Sequence, residues 1–106
     1  MTDTEKEILD KFKRLLSQRV SIYKMILFGS RARGDADQYS DMDIAVILNE
    51  PVEEKDIDYV SDYAWEAGFE YGIVVVPVVF TREEWKNSPE RSSLLVQAAE
   101  MEGVAV

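Results

Sequence analysis

Two short segments hold the side chains of this chain best suited to chemistry. In Leu27-Phe28-Gly29-Ser30-Arg31-Ala32-Arg33-Gly34 a small Gly-Ser turn follows an apolar stretch, and ten residues separate Ser30 from Asp41-Met42-Asp43. A turn at the end of a strand, where a helix begins, leaves backbone N–H groups that bind anions, and glycine lets a phosphate come close. The Ser30 hydroxyl is placed to donate to a phosphate oxygen. Arg31 and Arg33 add positive charge, although their i, i+2 spacing keeps them off a common helix face. Alternation along a strand turns Asp41 and Asp43 to one side, their Cα atoms about 6.5–7 Å apart. Carboxylates so spaced suit Mg²⁺, which prefers oxygen ligands. The two segments together predict a site for a metal-bound nucleoside triphosphate.

Each segment alone is weak. An isolated Gly-Ser is usually an ordinary turn, and an isolated D-x-D is usually a solvated strand face. This acid pair differs because Ala45-Val46-Ile47-Leu48 follow at once. That strand is expected to be buried, and two charges at its start need compensation. The segment is not a Walker A loop, because no Gly-Lys-Ser/Thr follows at the required spacing.

The elements that position these residues can be read from periodicity and punctuation. Helical spacing of Ile8, Leu9, Phe12, Leu15 and Leu16 predicts a helix from about Thr4 to Arg19. Val20–Phe28 reads as a strand that stops at Gly29-Ser30, where a short helix starts. Residues 34–39 form a polar loop, and Asp41–Leu48 is a second strand ended by Asn49-Glu50-Pro51. Glu53–Gly68 is a second long helix, with Ile57, Val60, Ala64 and Trp65 on its inner face and Gly68 as its stop. Ile73–Phe80 is an almost wholly apolar third strand, expected to be covered on both faces, with Pro77 marking an edge or bulge. Thr81-Arg82-Glu83-Glu84 is a capping box that opens a short helix carrying Trp85. Ser88-Pro89 opens a last helix to about Glu102, with Leu94, Leu95, Ala98 and Met101 as its buried stripe and Gly103 as its end. The order predicts one α/β (α+β) domain spanning residues 1–106, a small mixed β-sheet flanked by helices.

Composition narrows the chemistry. Without histidine, proton transfer must fall to carboxylates, Tyr, Lys or metal-bound water. Without cysteine there is no disulfide framework or thiolate metal site. No apolar run reaches the roughly 20 residues that span a bilayer. The acidic, polar Met1–Glu7 does not read as a signal peptide, so a cytoplasmic location is expected. A net charge of −9 opposes direct nucleic-acid binding and favours a basic partner.

The combination of Gly29-Ser30, the ten-residue interval and Asp41-Met42-Asp43 resembles the signature of the DNA polymerase β nucleotidyltransferase superfamily. Phe28–Gly34 and Ser40-Asp41-Met42-Asp43-Ile44 resemble its minimal nucleotidyltransferase (MNT) branch in particular, and the element order and the Glu102-Gly103-Val104 ending agree. The resemblance implies a nucleotidyltransferase (polymerase β-like) fold. It also implies Gly29 and Ser30 on the triphosphate, Asp41 and Asp43 on Mg²⁺, and transfer of a nucleoside monophosphate, from ATP above all, to an acceptor hydroxyl. Such enzymes work with a third carboxylate on the next strand, and matching Tyr71-Gly72 and Pro77 to the family pattern puts Val74 there. Family members of this size commonly act as antitoxins beside a small helical HEPN-type toxin, by adenylylating it or by binding it. Two functions therefore follow from the resemblance. One is AMP transfer to a partner protein. The other is a catalytically impaired scaffold that acts by contact.

Overall fold

A computed structural model of the chain describes residues 2–34, 36–37 and 39–87, together with the backbone of 104–105. The elements are α1 (Asp3–Ser17), β1 (Ile22–Phe28), α2 (Ser30–Arg33), β2 (Met42–Leu48), α3 (Glu54–Phe69), β3 (Val75–Thr81), α4 (Arg82–Asn87) and β4 (Val104–Ala105). The helix expected over 88–102 lies outside the described residues.

The sheet has the strand order β3-β2-β1-β4 and is mixed, as the sequence predicts. β1 runs antiparallel to β2 and to β4, while β2 and β3 are parallel. The parallel pair is joined by α3, which crosses over one face. Pro77 lies in β3, an outer strand of this sheet, where its missing N–H leaves no gap in an interior ladder.

Two apolar layers sandwich the sheet. On one face Ile8, Leu9, Phe12 and Leu16 of α1 and Val60, Ala64 and Ala67 of α3 bury Met25, Leu27, Met42, Ile44, Val46 and Leu48. On the other, Phe80 and Trp85 pack with Ile26, Phe28, Ala45 and Ile47. From Ile44 to Leu48, β2 is buried on both sides, which explains its unbroken apolar run. Each fully buried aliphatic side chain there contributes about 1.5–3 kcal/mol.

Local signals set the helix ends. Thr2 caps α1 with a full capping box, its Oγ1 accepting from the Glu5 N–H at 3.1 Å while the Glu5 carboxylate accepts from the Thr2 N–H at 2.9 Å. The helix thus begins a residue before the expected Thr4. The Thr81/Glu84 capping box forms as predicted, with reciprocal bonds of 2.9 and 3.0 Å.

Three expectations are corrected. Trp65 and Ile57 are not on the inner face of α3: they are 63% and 38% exposed, because the sheet takes only the stripe of Val60, Ala64, Ala67 and Gly68. β3 is half-buried at Val76–Val79 rather than covered throughout, since it borders the sheet. Gly68 does not stop α3, which continues to Phe69. A Cβ there would collide with the Ile73 carbonyl oxygen, while the Gly68 carbonyl accepts from the Tyr71 and Ile73 N–H groups at 3.1 and 3.2 Å.

Gly68 is therefore kept for close packing of α3 on the start of β3. Gly68→Ala would gain about 1 kcal/mol of helix propensity. The collision with rigid backbone outweighs that gain, so the variant is expected to melt below the wild type in thermal denaturation; an unchanged or raised Tm would show that the turn relaxes freely.

Candidate active site

The site forms where β1 ends and β2 begins. Antiparallel pairing sets Phe28 opposite Asp43, which brings the Gly29-Ser30 turn against the acid pair. Gly29 has φ 77° and ψ −155°, a region open essentially to glycine alone. A Cβ on Gly29 would lie 2.5 Å from Asp43 Oδ2. Backbone conformation and space thus both require glycine, and they put a bare turn directly beside a carboxylate.

Gly29 is the N-cap of α2 and Ser30 its first residue, with no side chain capping the helix. The Gly29 carbonyl accepts from Arg33 N–H at 3.1 Å, which closes the turn. The first N–H groups of such a turn have no acceptor within it. The Gly29-Ser30 turn, where a phosphate cradle is expected, thus lies beside Asp43.

Asp43 is half-buried and Asp41 exposed. Met42 and Ile44 point into the α1/α3 layer, so alternation turns both acids to the opposite face. Burial pushes the Asp43 carboxyl above the usual aspartate range, the neighbouring Asp41 charge pushes it further, and Arg33 opposes both. A cation beside Asp43 would relieve that repulsion.

The two arginines part company. Arg33 is exposed and acts electrostatically on Asp43. Arg31 is buried: its Nη1 donates to Glu5 Oε2 at 2.9 Å, and its Nε donates to the Ser40 carbonyl at 2.8 Å. The expectation that Arg31 holds phosphate is thus corrected. Its guanidinium joins the first turn of α1 to the residue preceding Asp41. Burial raises the Glu5 carboxyl pKa, but hydrogen bonds from Thr2 and Arg31 and the Arg31 charge outweigh it, leaving that carboxyl below the ordinary glutamate range.

The acid loop is held from three sides. Asp37 Oδ1 accepts from Tyr39 N–H at 2.8 Å, Ser40 N–H donates to the Asp37 carbonyl at 3.2 Å, and Met42 N–H donates to the Val74 carbonyl at 2.9 Å. Glu5 was missed in the sequence as a contributor to this region. Thr2-Asp3-Thr4-Glu5 fits a capping box, which would have placed Glu5 in the first turn, but its bond to Arg31 depends on tertiary contact.

β3 supplies no third acid. The parallel register sets Val76 beside Asp43 and Val75 beside Met42. Val74, where the third carboxylate was expected, lies one step back, before Val75, and the position flanking Asp43 belongs to Val76. Among the described residues no group of three or more acidic, His or Cys side chains converges on a metal position. Asp41 and Asp43 thus fit an ion that arrives with phosphate oxygens and water in its shell, the usual habit of Mg²⁺, and not a metal caged by protein alone.

The different placements of the arginines separate stability from binding. Arg31→Ala leaves Glu5 buried without its charge partner and should cost about 3–5 kcal/mol, read as a lowered Tm. Arg33→Ala should change stability by no more than about 0.5 kcal/mol, as for other surface changes, and weaken triphosphate binding in calorimetry. The reverse pattern would restore Arg31 to the phosphate.

The nucleotidyltransferase domain family matches residues 7–103. MntA of Haemophilus influenzae, described as a probable protein adenylyltransferase, is 29% identical over 98 residues, which cover 92% of this chain and 86% of the relative. Two proteins of Methanocaldococcus jannaschii are named provisionally as protein adenylyltransferases. MJ0604 is 40% identical over 74% of this chain and 75% of its own length, and MJ0141 is 31% identical over 72% and 79%. With its glycine turn and acid pair inside the matched span, the chain belongs to the nucleotidyltransferase domain family.

Proposed function

We propose that this domain binds magnesium–ATP and transfers AMP to a hydroxyl of a partner protein, releasing pyrophosphate. The observation that carries the reading is the packing of Asp43 against the bare Gly29 turn. That contact puts a carboxylate for metal next to N–H groups for phosphate. The protein adenylyltransferase descriptions of the relatives support AMP as the transferred group and protein as the acceptor.

Gly29 and Ser30 hold phosphate oxygens, and Arg33 offsets their charge. Asp41 and Asp43 hold the metal, whose chemistry is to neutralise phosphate charge and steady the attacking and leaving oxygens of an in-line displacement. Arg31 and Glu5 act through the backbone, fixing Ser40 and so the path into Asp41. In this reading the domain is an MNT-type antitoxin of the cytoplasm, and its acceptor is a small helical HEPN-type protein. The net charge of −9 supports a basic partner by complementarity.

A second reading, an impaired scaffold acting by contact, is favoured by Val74 and Val76. Neither valine can ligate a metal or accept a proton from an acceptor hydroxyl.

Calorimetric titration with ATP in Mg²⁺ and in EDTA tests the first reading. Metal-dependent binding is expected, and Asp43→Asn should abolish it without lowering Tm. The raised Asp43 pKa means that the metal-free fold loses stability as pH rises from the ordinary aspartate value through the raised one, and asparagine removes that loss. No binding by folded wild-type protein would overturn the reading. Val76→Asp then separates the two functions. If the natural site is impaired, transfer should rise more than about tenfold, equivalent to about 1.4 kcal/mol of barrier. Transfer that is already efficient in the wild type and falls in the variant would remove the scaffold reading.

A further inference from the structure

A groove lies away from the acid pair, between α1 and α3. It has a volume of about 620 Å³ and is lined by Lys11, Asp62, Trp65, Glu66, Phe69 and Glu70. Trp65 and Phe69 are 63% and 69% exposed, and their rings touch with centroids 5.7 Å apart. Large aromatic side chains left together in water mark a contact surface more often than an accident of packing. An adjoining recess of about 260 Å³ continues past Gly68 and Gly72 to Val74, which is 50% exposed. Val74 precedes Val75, the register partner of Met42, and its carbonyl accepts from the Met42 N–H at 2.9 Å. One apolar surface thus runs from the outer side of α3 to the edge of the acid pair.

Its border is acidic. Asp58, Asp62, Glu66 and Glu70 recur every fourth residue along α3, and all are exposed. Like charges at i, i+4 oppose the helix that carries them. The basic group in the groove, Lys11, lies 3.6 Å from Glu70. A second copy of this chain would bring the same acids to the contact, and nucleic acid would be repelled.

We propose that this groove docks a cationic amphipathic helix of the acceptor protein. Apolar residues of that helix pack on Trp65 and Phe69, and its Lys or Arg residues face the acidic stripe. The spacing of the lining residues at 62, 65/66 and 69/70 is that of a helix ridge, against which another helix lies lengthwise. The word acceptor rests on the transfer reading above; the docking chemistry does not.

The probe is a synthetic leucine–lysine amphipathic helix of about four turns, with a leucine–glutamate twin as control. Binding to the whole protein is followed by anisotropy of a label on the peptide. The lysine peptide should bind and the glutamate twin should not. The double variant Trp65→Ser, Phe69→Ser should weaken binding at least about tenfold, as for aromatic anchors, while its magnesium–ATP titration stays as in the wild type. Asp43→Asn should leave peptide binding unchanged. Equal binding of the lysine peptide by the double variant would reduce the effect to net charge and overturn the proposal. So would the absence of binding, or a wild-type dimer in sedimentation that the double variant abolishes. Loss of magnesium–ATP binding alone would overturn the transfer reading and leave the docking result standing.

Discussion

The gap between Gly29 and Asp43 is too narrow for a methyl group, and the organisation of the site follows from it. The register of β1 on β2 sets the gap, because Phe28 and Asp43 are direct partners. A shift of one residue in that register would carry every side chain of β2 to the other face. The apolar layers forbid such a shift, since Met42, Ile44, Val46 and Leu48 are needed under the helices while Ala45 and Ile47 are needed under Phe80 and Trp85. Hydrophobic burial far from the site therefore determines where a carboxylate stands beside the Gly29-Ser30 turn.

Electrostatics then divides the charged groups. Asp41 and Asp43 repel each other and are left with a demand for positive charge, which Arg33 meets in part. Glu5 and Arg31 satisfy each other in the interior, with Thr2 and Ser40 completing their hydrogen bonds. The first pair keeps a residual repulsion. The second is satisfied and structural. That contrast is the main reason to assign binding to one and positioning to the other.

Much of this was legible in the sequence. The order of elements, the mixed sheet, the Thr81/Glu84 cap and the shared face of the two aspartates follow from local spacing and from rules of one or two turns. What failed were properties of the assembled chain. Trp65 has the periodicity of an inner residue, but its neighbours at 64, 67 and 68 are small and face the sheet, which leaves the indole outside. Arg31 and Arg33 are equivalent in a sequence motif, and only the position of Glu5, 26 residues away, distinguishes them. The valine beside Asp43 depends on the parallel register of β3, which no local pattern encodes.

The two aspartates also belong to parts of the chain with different freedom. Asp43 lies within β2, whose following residues, Ile44 to Leu48, are all buried. Asp41 precedes the strand and is held through its neighbours, by the Ser40 carbonyl on one side and the Met42 N–H on the other. Backbone amide exchange should accordingly be slow at Ala45–Ile47 and faster at Asp41, with the acid pair straddling the boundary. One carboxylate is then set by the core and the other by a short tether. Such a pair keeps one coordinate fixed while the other can shift without moving any of the layers.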